Sequence, residues 1–459
     1  MSDPVSRLLN FRKGELQLAL LSAIFFFVVL CGYFFIRPVR EAMGVSRGMD
    51  QLRWLFIGTA VLSLPVVLAF GGVVSRTNRR KFIPIAYLFV IVCLVAFASL
   101  LTWDALAGGG VIGTDTETTL ARVVGYTFYF WLSVINLFST SVFWAYMVDI
   151  FDVDQGKRLF AFIGIGGTLG AIAGGSATTW IAGQTDSQYL PAGLMLTGAA
   201  FFGLAIVAMR ALDRIAATSE HSRLGAAAAR RDTPRGDPEP RARIGGGAID
   251  GLTEIARSPY LIGIGLWILA MAISNTLIYF AQASFVLDES DAFSEMIGRF
   301  AWFDMLAQIA TLITQIFITT RLIARVGVGW TLAILPLVTT VGFGVLAIWP
   351  TFGVMALFQA IHRATRYAIS RPARETLFSV VPPSEKYKAK PIIDVPVYRG
   401  GDLLGAGFDG LLRALGLTLG WMAFATVPFA AVWTVLSIGM GRAQTRRDPG
   451  APAAESAAA

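Results

Sequence analysis

Inside the long apolar stretches of this chain stand charged and amide side chains at helical spacing. Asp304, Gln308, Thr311 and Gln315 fall at i, i+4, i+7 and i+11, so they line one face of a helix. Asn275, Tyr279 and Gln282 repeat the pattern within 259–286, and Tyr129, Ser133, Asn136 and Thr140 do so within 122–147. Gln359, Arg363, Arg366 and Ser370 do so within 351–370, with two full charges. Asp394, Tyr398 and Asp402 share a face within 391–415, with Arg399 alongside. Near residue 36, Tyr33, Arg37, Arg40 and Glu41 cluster around Pro38, which is expected to kink or end its helix. A charge near a bilayer centre costs at least ~2.5–3.5 kcal/mol, so an ionisable residue there is a functional candidate by default.

Arginines outnumber acids in this set, and the planar guanidinium fork matches carboxylate and phosphate oxygens. The pattern favours a small anionic solute. Candidate binding residues are Arg37, Arg40, Asn136, Asn275, Tyr279, Gln308, Arg363, Arg366, Tyr398 and Arg399. Asp304, Asp394 and Asp402 are candidates for proton coupling, since desolvation raises a carboxyl pKa, and His362 is a further candidate relay. The competing reading is that Arg399–Asp402, and Arg363 or Arg366 with an Asp, are interhelix ion pairs that only hold the bundle together. Cys31 and Cys93 both lie in apolar runs, and there are two histidines, which excludes a disulfide framework and a Cys- or His-rich metal centre. There is no Gly-x-x-x-x-Gly-Lys-(Ser/Thr) loop, nor a Ser-His-Asp or Cys-His constellation. An enzyme, an ATP-driven pump and a resident cofactor are therefore not expected.

The elements that must position these residues are membrane spans. Of 459 residues, 55% are hydrophobic and 15% charged, well below the ~25% of soluble domains. Apolar segments of spanning length fall near 16–36, 54–74, 82–102, 122–147, 159–182 and 191–210, then near 259–286, 299–320, 329–349, 351–370, 391–415 and 418–440. The expectation is an all-α membrane protein of about twelve transmembrane helices. Residues 1–210 form one six-helix half and 258–441 the other. Between them, 211–257 reads as a flexible cytoplasmic linker rich in Ala, Arg, Gly and Pro, and 442–459 as a disordered tail. One set of loops holds the great majority of the 38 Lys and Arg. By the positive-inside rule that set is cytoplasmic, with both termini, in a bacterial inner membrane. The net charge of +8 then marks loops against anionic lipid, not nucleic acid. Four exceptions cluster after the first span: Arg37, Arg40, Arg47 and Arg53. They form either an anion vestibule or a salt-bridged cap with Glu41 and Asp50.

The halves look related. Gly72 to Lys81 and Arg321 to Gly327 both place Arg-x-(Asn/Gly) in a tight turn after the second span of a half. Phe151 to Val153 and Phe378 to Val380 repeat a Phe-x-Val step after the fourth. Two related six-helix halves, with polar faces turned to a hydrated central cavity, are the plan of the major facilitator fold and its alternating access. The Gly72 loop is a degenerate form of that fold's loop signature. Gly166, Gly170 and Gly174 form a small-xxx-small face suited to close helix packing.

Three stretches resemble the nucleotide exchange (ATP/ADP translocase-like) transporters: Tyr33 to Glu41, Gln155 to Phe160, and Tyr387 to Asp402, the last with Lys388, Lys390, Asp394 and Arg399-Gly-Gly in order. The resemblance implies a major-facilitator-type fold and exchange of nucleotides. It also implies a substrate-linked charge at Arg40, where the family has lysine. Two positions depart from the family: Asp402 stands where a lysine is expected, and Tyr129-Phe130-Trp131 lacks an acid before its Trp. The sequence thus points to a secondary transporter, acting as a monomer, for an organic anion such as a nucleotide or phosphorylated metabolite. The alternatives are a proton-coupled carrier of another solute, and a non-transport membrane scaffold or sensor that works through 211–257.

Overall fold

The computed structural model describes residues 15–74, 79–151, 153–218 and 250–447. Fifteen helices run through them: α1 Glu15–Val45, α2 Met49–Val74, α3 Arg79–Leu106, α4 Thr119–Ile150, α5 Val153–Ala182, α6 Leu190–Thr218, α7 Asp250–Arg257, α8 Pro259–Glu289, α9 Phe293–Thr314, α10 Thr320–Ile348, α11 Phe352–Ala364, α12 Arg371–Leu377, α13 Pro383–Ile392, α14 Tyr398–Ala414 and α15 Leu419–Arg447. Three π-helical turns, Gln315–Thr319, Thr365–Ser370 and Ile393–Val397, join consecutive helices. Among the described residues there is no strand, and eight helices are individually long and apolar enough to cross a membrane. The twelve expected segments each fall on helix.

Helix α6 continues through Thr218 and α7 covers Asp250–Arg257, so both ends of the expected linker are helical. Residues 219–249, the Ser75 to Asn78 turn and the tail after Arg447 lie outside the described residues. Pro38 does not end α1, which runs seven residues further to Val45. A spanning helix tolerates proline where its neighbours re-satisfy the freed carbonyl.

The chain divides into two compact units. Unit 1 holds the described parts of Met1–Arg47, Pro65–Glu239 and Ser290–Met305. Unit 2 holds those of Gly48–Leu64, Pro240–Glu289 and Leu306–Ala459. The first part of α2 thus falls in unit 2 and the first part of α9 in unit 1.

In unit 1, α1 packs on α4, α5 and α6. Gly166, Gly170 and Gly174 bring α5 onto α1: a Cβ on them would stand 2.4, 2.1 and 2.6 Å from the carbonyl oxygens of Ala23, Phe27 and Cys31. This is the close approach their spacing predicts. Phe26 stacks on Phe143 at 4.1 Å, and Phe25 packs edge-on against Tyr87 and Tyr146. In unit 2, α8 packs on α14 and α15, and α10 on α15. Trp267 and Trp433 meet at 5.5 Å in its core, and Trp267 Nε1 donates to Ser437 Oγ at 2.8 Å. Gly327, at φ +76°, makes the turn expected before the ninth span.

Candidate functional site

The four arginines that come after the first span are all engaged by carboxylates. On α1, Arg37 Nη1 lies 2.9 Å from Asp304 and its Nε 3.6 Å from Glu41. Arg40 donates to Glu41 at 2.5 Å and to Ser133 Oγ at 3.0 Å, with its guanidinium 4.9 Å from the Tyr129 ring centre. Arg47 makes a two-pronged contact with buried Glu117. Each of these contacts lies within unit 1. Arg53, in unit 2, lies 2.9 Å from exposed Asp50 and 3.3 Å from buried Asp409, which also pairs with Arg413 at 3.0 Å. The acids bring these arginines close to local neutrality, which supports the cap reading over the open vestibule. Most of these partners are invisible to spacing: Glu117, Asp304 and Asp409 lie far along the chain from the arginines they hold.

The polar face of the eighth span is shared out. Asp304 is buried in unit 1, whereas Gln308, half-buried, and buried Thr311 belong to unit 2. Thr311 Oγ1 donates to the Ala307 carbonyl at 2.7 Å.

Unit 2 gathers most of the other candidates. Arg399 Nη1 donates to Asp402 at 2.8 Å, and Thr276 Oγ1 donates to the same carboxylate at 3.3 Å. The buried amides Gln359 and Gln282 hydrogen-bond to each other and so join α11 to α8. Tyr279 stacks on Phe56 at 5.6 Å. Arg366 Nη2 donates to Tyr398 Oη at 2.7 Å, and its guanidinium lies 5.2 and 5.8 Å from the ring centres of Tyr367 and Tyr398. Among the described residues no carboxylate lies within ion-pair distance of Arg366. Arg363 stands one turn earlier on α11, half-buried. His362 is buried against Phe358, and neither its Nε2 nor the Nδ2 of Asn275 makes a hydrogen bond among the described residues.

Two of the π turns carry this arrangement. Arg366 sits inside Thr365–Ser370, and Ile393–Val397 ends directly at Tyr398. An extra residue in a turn rotates the helix beyond it, and such turns recur at functional sites. Asp394 lies 3.1 Å from Lys390 and 3.8 Å from Arg374. Glu375 completes that network with Lys390 at 2.7 Å and Arg374 at 3.0 Å. Burial alone would raise the Glu375 pKa; the hydrogen bonds from Lys390 and Arg374 outweigh it and hold the carboxyl below its ordinary value. The side chain of Asn136 lies outside the described residues.

The Gln155 to Phe160 stretch also finds a role. Arg158 places both terminal nitrogens 2.8 Å from the two oxygens of buried Glu15, and Gln155 donates to Glu15 at 3.3 Å. This ties the start of α5 to the start of α1, a pairing that sequence spacing does not signal.

A family model described as the MFS_1 like family matches residues 48–413. The chain belongs to this family. It is a multi-pass membrane transporter of the major facilitator type, not an enzyme. Two curated relatives are described as ADP,ATP carrier protein 1. That of Chlamydia pneumoniae is 20% identical over 330 residues, 64% of this chain and 62% of the relative. This chain thus spans less than two thirds of that relative's length. That of Chlamydia trachomatis serovar D is 21% identical over 477 residues, 91% of this chain and 87% of the relative. Among solved structures, a bacterial homologue of the iron transporter ferroportin, in an inward-facing state, matches with TM-score 0.63 at 11% identity, over 94% of this chain and 100% of that one. A mutant of the nucleoside transporter NupG matches with TM-score 0.58 at 14% identity, over 92% and 99%. These likenesses establish the fold.

Proposed function

We propose that this transporter carries a small organic anion, a nucleotide or phosphorylated metabolite, by alternating access and exchange. It works as a monomer in a bacterial inner membrane with both termini cytoplasmic. The observation that carries the reading is Arg366, a half-buried cation among aromatic rings with no carboxylate in ion-pair distance among the described residues. A guanidinium taken from water without a counter-ion is costly, and a substrate anion offsets that cost when it binds. The printed names of the two curated relatives support a nucleotide. Arg363, Arg399, Tyr398, Asn275, Tyr279 and Gln308 of the same unit are the proposed supporting residues; Arg37, Arg40 and Asn136 belong to the other unit and are candidates in their own right. A second reading, proton-coupled carriage, is supported by Asp304 and Asp402, buried acids each within reach of an arginine. Asp394 is a weaker coupling candidate because Lys390 and Arg374 hold it.

The test is uptake of labelled nucleotides and sugar phosphates into proteoliposomes. Saturable uptake that requires an internal counter-substrate supports exchange. Uptake driven by an imposed pH gradient, with no counter-substrate, replaces exchange with proton coupling. Transport of neither kind, by folded protein, refutes the anion reading.

A further inference from the structure

We propose that the anion is anchored by one guanidinium, Arg366, framed by Tyr367 and Tyr398, and that the substrate therefore presents a single anionic group, a carboxylate or phosphomonoester, rather than a polyphosphate chain. This rests on the anion-carrier reading above and narrows it.

The argument is one of charge compensation. A polyphosphate spreads several negative charges along its chain and needs several cations to replace its hydration. Arg37 and Arg40 cannot supply them cheaply. Asp304 and Glu41, which hold them, have side chains only 4% and 3% exposed, so releasing either arginine strands a buried carboxylate. Arg399 is likewise committed to Asp402, whose side chain is 6% exposed. Arg366 has no carboxylate in ion-pair distance among the described residues, and Asp402, already paired with Arg399, acts on it only at longer range. Its described hydrogen-bond partner is a neutral phenol, which fixes the guanidinium without neutralising it. The two rings lie 5.2 and 5.8 Å from the guanidinium, within cation–π range. What is left of the fork suits two oxygens of one headgroup. Asn275 Nδ2, buried and without a hydrogen bond among the described residues, is a further donor on a neighbouring helix of the same unit.

The experiment uses the full-length protein in proteoliposomes and reads inhibition of uptake by a graded series. The probes are adenosine, adenosine mono-, di- and triphosphate, a hexose phosphate, and short mono- and dicarboxylates. The expected result is that one single-headgroup class competes at least about ten-fold better than the triphosphate, the scale of a charged hydrogen bond made or lost. Whether the phosphomonoester or the carboxylate arm competes identifies the headgroup. Arg366→Ala should abolish that preference. Arg366→Lys, which keeps the charge and loses the fork, should restore uptake with a raised KM. Equal or better competition by the triphosphate overturns the proposal while leaving the anion carrier intact. Competition by adenosine alone, or by no anion, overturns both. Should Arg366→Ala not fold, Tyr398→Phe must still raise KM for the preferred class; an unchanged KM overturns the anchor.

Discussion

Replacing Gly170 by alanine adds a methyl group that the packing of α5 on α1 cannot accept. The new Cβ would stand 2.1 Å from the Phe27 carbonyl oxygen and 2.8 Å from that residue's Cα, both backbone atoms, where ordinary contact begins at 3.4 Å. No rotamer change relieves this, so the helices must part by more than 1 Å. Overpacking of this kind costs roughly 1–3 kcal/mol. Against it, alanine in a helix interior gains roughly 0.5–1 kcal/mol over glycine. The net loss, about 0–2.5 kcal/mol and centred near 1, corresponds to a fall in melting temperature of a few degrees. Gly164, nearly two turns earlier on the same helix, is the control, because nothing lies within 4 Å of its would-be Cβ. Gly164→Ala should melt at or slightly above the wild type. Both variants are compared in one detergent by intrinsic fluorescence, with tryptophans on several helices as reporters. If Gly170→Ala is as stable as Gly164→Ala, α5 does not lie on α1 through its glycine face, and the reading of the Gly166, Gly170, Gly174 spacing is wrong.

Two further outcomes come from the ion pairs. Asp409→Asn should destabilise far more than Asp50→Asn, although both acids touch Arg53: their side chains are 3% and 85% exposed. Breaking a buried pair costs about 3–5 kcal/mol and an exposed one about 0–1, so thermal melts of equal size would refute the assignment. Glu375→Gln should destabilise modestly at neutral pH. Since the folded state holds the Glu375 carboxyl below its ordinary pKa, its contribution is present above the ordinary carboxylate range and is lost as pH falls through the folded value. The gap between wild type and Glu375→Gln should therefore narrow on acidification, and a gap that widens refutes the network with Lys390 and Arg374.

Much of this is legible from spacing, and the misses share a cause. Periodicity locates the spans, the polar faces and the glycine face, because each is a property of one helix read along its own sequence. The Arg37–Glu41 contact is legible for the same reason, at i and i+4. Partners brought together by tertiary packing are not: nothing in the spacing ties Arg47 to Glu117, Arg158 to Glu15 or Arg53 to Asp409. The π turns are also hidden. An unbroken helical count carries one register through Thr365–Ser370 and Ile393–Val397, where the structure has π turns.

Excess charge inside a membrane protein is a weaker guide to a binding site than uncompensated charge. The excess of arginine over acid suggests a site built from five arginines, Arg37, Arg40, Arg363, Arg366 and Arg399. Yet a guanidinium attracts an anion only in so far as the protein has not already supplied one. Arg37 and Arg40 share Glu41, and Arg37 also meets Asp304; Arg399 has Asp402. Arg366 is in direct contact only with tyrosines among the described residues, and Asp402 acts on it at longer range. The residue that best answers the sequence argument is thus the one whose direct contacts are neutral. Asp402 acts in the same direction: it commits Arg399 to the protein, leaving fewer unpaired positive charges in this unit.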